Sequence, residues 1–183
     1  SARTTGVVTA SLATLEIESF IAPTTDVIAF ESGNNYSFEI DDDTVLTKAE
    51  VKQLILLNNA TSGTILIDPD DGTAPDMNGE LADLLAIAQS GKTAAQIAAG
   101  DTNGFKGLEA AKYTITDTGA VSLESANAIE ATTSGDVVLT TAASLTGSIT
   151  EVDKAYAATS TITNTVDTKP VTVTGTITVT QAN

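Results

Sequence analysis

Carboxylates are the side chains of this chain that sit close enough together to suggest chemistry. Asp41-Asp42-Asp43 closes one apolar segment, and Asp68-Pro69-Asp70-Asp71-Gly72 forms a second acidic loop with Asp76 just beyond it. Hard oxygen donors at such spacing suit calcium, which takes roughly six to eight oxygens. Asp68, Asp70, Asp71, Asp76, Asp41 and Asp43 are therefore the candidate metal ligands. The alternative is that they are solvated turn residues. The loop departs from the EF-hand pattern, because Gly72 falls where a ligand is needed and no Glu stands twelfth from Asp68. The Gly-Gly-x-Gly-x-Asp nonapeptide of calcium β-rolls is absent as well. No cofactor is required by these patterns; calcium is the ion they admit.

Catalysis finds little to build on. The chain has no His and no Cys, so imidazole bases, thiolate nucleophiles and soft-metal sites are all missing. No Ser lies in a G-x-S-x-G elbow. Paired acids for glycoside hydrolysis would want aromatic platforms, and aromatics are 4% of the chain. A Ser-Lys dyad or a carboxylate pair stays formally open, but no constellation assembles, and a non-enzymatic role is expected. Three Ser/Thr-Gly turns lack the Lys of a phosphate cradle. Their glycines are expected to supply positive φ and to end a helix where a strand starts.

Net charge is −16, from 24 acidic and 8 basic residues. That excludes nucleic acid as a partner, which needs clustered Lys and Arg, and disfavours anionic lipid. No stretch is apolar for the roughly 20 residues of a membrane helix, so membrane insertion is not expected. The first residues, Ser1-Ala2-Arg3-Thr4-Thr5, hold no apolar signal region. Export would then use a signal already removed or a C-terminal one, and the other route is a particle assembled inside the cell. The lack of Cys leaves the redox compartment open.

The elements that would position any site repeat along the chain. Thr5-Gly6-Val7-Val8, Ser62-Gly63-Thr64-Ile65 and Ser134-Gly135-Asp136-Val137 are three copies of a turn running into a strand. The segment from Met77 to Ala88 matches that from Leu145 to Tyr156, with Gly79 and Gly147 aligned. Recurrence at a near-constant offset marks stacked supersecondary units, which build surfaces more often than pockets. Val7–Thr9, Asp26–Phe30, Tyr36–Ile40, Ile65–Ile67 and Tyr113–Thr116 read as strands. Helical spacing appears at Leu12, Leu15 and Phe20, at Val51, Leu54, Ile55 and Asn58 (widened by Leu56 and Leu57), and at Leu81, Leu84, Leu85 and Ala88. Further helices are expected over Thr93–Ala99, stopped by Gly100, and over Val121–Ala131. Thr47-Lys-Ala-Glu50 and Ser148-Ile-Thr-Glu151 are capping boxes, and Asp76 or Asn78 would cap the helix at Leu81. With 27 Ala, 32 Thr and no Trp, the core must be small and aliphatic. Val171 to Thr180 alternates apolar residues with threonine, a strand bent at Gly175 that is either paired or an exposed edge.

The resulting fold class is α/β: repeated strand–helix units stacked into one or two sheets with short helices alongside, ending in a long alternating β-strand. Residues 1–183 form a single repeat-built domain, with units near 1–35 (partial), 36–112 and 113–183.

Thr4–Ala10, Tyr113–Thr118 running into Ser125–Gly135, and Ser144–Tyr156 resemble the repeats of giant Thr/Ala-rich surface proteins of aquatic bacteria, cyanobacteria among them. The likeness is close over residues 113–160 and looser over 1–112. It implies an extracellular, non-enzymatic, repetitive role and transfers no site residues. The expected function is a structural module of a cell-surface assembly that self-associates or adheres through sheet edges and Thr-rich faces, as a homo-oligomer or beside neighbouring copies. A virion decoration, fibre or tail protein on the particle exterior is the alternative, and a calcium-dependent carbohydrate-binding module is a third.

Overall fold

The structure is a computed structural model; it describes residues 9–15, 35–40, 45–67, 73–91, 96, 104–163 and 168–175, the first of these segments as backbone only. The readings at Val7–Val8, Asp26–Phe30 and Thr176–Thr180, and most of that at Thr93–Ala99, lie outside the described residues.

Twelve strands and four helices are described, and all paired strands run parallel. The order is β1 (Thr9–Leu15), β2 (Asn35–Ile40), β3 (Val45–Leu46), α1 (Lys48–Ala60), β4 (Thr64–Ile67), β5 (Asp76–Gly79) and α2 (Leu81–Ser90). It continues through β6 (Gly104–Lys106), β7 (Lys112–Ile115), β8 (Ala120–Ser122), α3 (Leu123–Glu130), β9 (Val137–Val138), β10 (Ser144–Gly147), α4 (Ile149–Ala155), β11 (Ile162–Thr163) and β12 (Val171–Val173). The α/β class is as the sequence predicts. Among the described residues, however, the sheets number three: β1-β2-β4-β6, β3-β5-β7-β9-β11 and β8-β10-β12.

Each turn of the chain therefore lays its strands beside those of the turn before, as coils of a solenoid. Register stacks like on like. Leu46, Met77, Tyr113, Val137 and Ile162 form one column across the middle sheet, and all five are buried. Phe38, Ile65 and Phe105 form another in the first sheet. Each such side chain contributes about 1.5–3 kcal/mol by leaving water. The helices pack in a row, α1 on α2, α2 on α3 and α3 on α4. Their buried residues, among them Val51, Leu54, Leu84, Ile87, Ala126 and Ile129, close the core against the sheets.

The third coil carries a phase change that the repeat pattern does not announce. In the first half, the strand after a helix (β4, β6) joins the first sheet, and the strand before a helix (β3, β5) joins the middle one. In the second half, the strand after a helix (β9, β11) joins the middle sheet, and the strand before it (β8, β10) joins the last. The coil of β6, β7 and β8 places one strand in each sheet and so serves both phases. The two matched segments of the sequence nonetheless share one shape. β5 runs through its cap into α2 just as β10 runs into α4.

Several local expectations are corrected. Leu12 and Leu15 belong to strand β1, paired with β2, and not to a helix. Asp76 and Asn78 lie within β5, so neither caps α2; Glu80 is the N-cap residue. Val121 and Ser122 end β8, and α3 starts at Leu123 behind the Ser122 hydroxyl, which accepts from Ser125 N–H at 3.3 Å. Leu56 is 60% exposed and widens no apolar face, whereas Leu57 is buried. The Thr47–Glu50 capping box forms as read.

Candidate functional site

Hydroxyls fasten one coil to the next. Thr61 Oγ1 donates to the carbonyl of Tyr36 at 2.6 Å and accepts from Gly63 N–H at 3.0 Å. Thr133 Oγ1 repeats this on the Ala111 carbonyl at 2.6 Å and Gly135 N–H at 2.9 Å. Ser160 Oγ accepts from Ile162 N–H at 3.1 Å and donates to Glu130 Oε1 at 2.7 Å. The hook is thus the residue two before the N–H that it accepts from, in the turn leading into the strand. The sequence pattern drew attention to the neighbouring serines and missed it, although Thr61 and Thr133 align in the same repeat. Replacing Thr133 with Val, which keeps the shape and removes the hydroxyl, should cost about 1–3 kcal/mol by leaving a carbonyl and an N–H unpaired. A thermal melt checks this, and an unchanged midpoint would remove the hook from the account.

The glycines of these turns act differently from expectation. Positive φ occurs at Gly104, Gly107 and Gly175, not at Gly63 or Gly135. A Cβ on Gly63 would instead sit 2.1 Å from the Tyr36 carbonyl oxygen, and one on Gly135 would sit 2.4 Å from that of Ala111. Glycine is there so that one backbone can lie against another.

Long-range partners complete the joints. Asp117 Oδ2 accepts from Leu81 N–H at 2.7 Å, so the third coil supplies a cap to the helix of the second. Asn127 Nδ2 donates to the Glu151 carbonyl at 3.0 Å and to its Oε2 at 2.6 Å. The second expected capping box is therefore only half made. Ser148 Oγ accepts from Glu151 N–H at 3.3 Å, while the Glu151 carboxylate turns to Asn127 and Lys154.

The Asn127 bond, aided by Lys154, holds the Glu151 carboxyl below the usual carboxylate range. Its contribution is present above the unfolded carboxyl value and fades as pH falls through the lower folded value. Asn127→Ala should return the Glu151 titration towards the ordinary range, read by NMR. An unmoved titration would sever the two residues. Glu80 is lowered by its bond from Lys48, an exposed pair of small energetic weight. Burial pushes the Tyr113 phenol well above its ordinary value, out of reach of acid–base work near neutrality.

Of the acidic candidates, Asp41, Asp43, Asp68, Asp70 and Asp71 lie outside the described residues. Asp76 is described, and its carboxylate is engaged by Lys112 Nζ at 2.6 Å and Thr114 Oγ1 at 3.2 Å across β5 and β7. Among the described residues no cluster of three or more carboxylates is placed to hold a metal ion, and no helix is long and apolar enough to cross a membrane.

An open groove of about 720 Å³ runs between α3 and α4, lined by Asn127, Glu130, Glu151, Lys154, Ser160 and Thr161 among others. Two of its three carboxylates, Glu130 and Glu151, are already committed, while the third, Glu124, is exposed. Glu130 Oε1 accepts from Ser160 Oγ and from Thr161 N–H, and Glu151 is held by Asn127 and Lys154. The groove is a joint between coils.

Among the described residues the last coil also leaves sheet edges without a further strand beside them. β11 closes the middle sheet and β12 the last, both in the final coil. Leu145 N–H donates to the Pro170 carbonyl and Thr174 N–H to the Gly147 carbonyl. Thr172 therefore faces β10, and by alternation Val171 and Val173 turn their N–H and C=O away from it. No strand among the described residues lies on that side. Comparison with family models, with curated proteins and with solved structures returns no match.

Proposed function

We propose that this chain is a non-enzymatic structural module of an extracellular surface assembly, joining other copies through the open edges of its parallel sheets. One observation supports the reading: β12 ends its sheet in the last coil with the N–H and C=O groups of Val171 and Val173 directed away from β10, and no strand among the described residues lies beyond it. Such an edge is a template for a further strand. The joints support the same view, since Thr61, Thr133, Asp117 and Asn127 are spent on holding coil to coil. The resemblance of residues 113–160 to Thr/Ala-rich surface repeats supplies the extracellular setting.

The net charge sets the conditions. Copies carrying −16 each repel one another, and salt screens that repulsion over about 8–10 Å at physiological strength. Sedimentation velocity over a dilution series, at low and at physiological salt, tests the reading. The mean mass should climb above 18.6 kDa with concentration, and more steeply at the higher salt. A mass fixed at 18.6 kDa throughout would overturn it.

A further inference from the structure

We infer that the groove between α3 and α4, besides joining two coils, binds an alkylammonium, the chemistry shared by aliphatic oligoamines and lysine side chains. The inference does not depend on the assembly proposed above. The lining residues, from Glu124 to Thr161, fall in the continuous described stretch 104–163. The volume of about 720 Å³ lies within the roughly 300–1,000 Å³ of small-molecule sites.

Charge chooses the sign of the ligand. Three carboxylates, Glu124, Glu130 and Glu151, line the groove with one ammonium, Lys154, which leaves two formal negative charges. Lys154 Nζ already lies 3.2 Å from Glu151 Oε1, so the fold itself seats one ammonium there. Glu124 is exposed and has no described partner. Glu130 takes its bonds from Ser160 Oγ, Thr161 N–H and Thr161 Oγ1 on Oε1 alone, and Oε2 takes none that is described.

The hydrogen-bond inventory asks for a donor. Asn127 is 7% exposed, and both bonds of its Nδ2 run to acceptors, the Glu151 carbonyl and Oε2. The amide therefore fits only one way round. Its Oδ1 is then buried without a partner, a condition that protein interiors rarely leave unanswered. The hydroxyls of Thr133, Ser160 and Thr161 do not answer it, since they donate to the Ala111 carbonyl or to Glu130. The donor has to arrive with the ligand. Ala128, Ala131 and Ala157 also line the groove and offer methyl surface to a chain of methylenes. A calcium ion, which wants roughly six to eight oxygens, fits less well, because among the described residues no three carboxylates are placed to share one. An anion meets the wrong charge.

Spermidine, titrated into the isotopically labelled protein at physiological salt, tests this. The Asn127 side-chain amide and the Glu124 and Glu130 carboxyls, followed by NMR, should move together and saturate at one ligand per chain. Glu124→Gln should weaken binding about fivefold, the upper range for an exposed ion pair. Ala131→Leu, which fills the groove from an exposed position, should weaken it further. Glu109→Gln removes the same charge from an exposed site outside the groove and should leave the affinity within about twofold. A second titration uses Nα-acetyl-lysine methylamide. Binding as tight as spermidine assigns the ammonium to a lysine of a protein partner, and weaker binding assigns it to a free oligoamine; either supports the site. Shifts that spread over the acidic surface without saturating would overturn the inference, as would equal losses in the two Gln variants. Calcium moving the same signals at lower concentration than spermidine would overturn it as well.

Discussion

Alanine at Gly63 is expected to cost about 3 kcal/mol or more, enough to unfold a marginal domain at moderate temperature. The added Cβ would lie 2.1 Å from a backbone oxygen and 2.5 Å from its carbon, neither of which can swing aside as a side-chain tip does. The clash also falls on the Tyr36 carbonyl that Thr61 holds, so relief by moving the strand breaks the hook. Gly135→Ala should behave alike, with the Ala111 carbonyl 2.4 Å away. Gly119→Ala, with nothing within 4 Å of the new atom, is the control and should stay within about 0.5 kcal/mol of the parent. Denaturant melts of the three variants decide the matter. Equal midpoints for Gly63→Ala and Gly119→Ala would mean that the coils are not in close backbone contact.

Proline at Val173 is expected to abolish growth of the mass with concentration while leaving the fold intact. Its N–H points away from β10, so its loss breaks no bond within the sheet, and proline is tolerated on such an edge. A partner strand would lose a donor and meet the ring. Sedimentation beside a thermal melt reads both effects, with Val173→Lys as a second edge block should the proline variant melt early. If the proline variant assembles as the parent does, the β12 edge is not the contact.

The parts of the fold that were legible in the sequence are those decided within one turn of chain. Thr47 and Glu50 announce α1 because a capping box needs only four consecutive residues. Leu84 and Ala88 announce the buried face of α2 because helical spacing is local. The repeated turn-and-strand signals give the stacked α/β class for the same reason. What failed depends on contacts between coils. Leu12 and Leu15 fit a helical stripe, yet β1 is decided by pairing with β2. The cap that Asp117 gives Leu81 comes from 36 residues away, and nothing near Leu81 predicts it. Glu151 sits at the right place for a capping box, but a buried amide on α3 competes for its carboxylate and wins. The glycines were legible as special and misread as to cause, since only the neighbouring coil shows what a side chain would strike. The third sheet arises from the phase change at β6, β7 and β8, which no single repeat contains.

Amide hydrogen exchange at Val171 and Val173, followed as protein concentration is raised, tests most directly whether the sheet edge carries the assembly. Both N–H groups should exchange readily in dilute solution and become protected as the mean mass rises, while those of buried β7 stay protected throughout. Growth of the mass with no change at these two amides would place the contact elsewhere and contradict the edge as the working surface of the molecule.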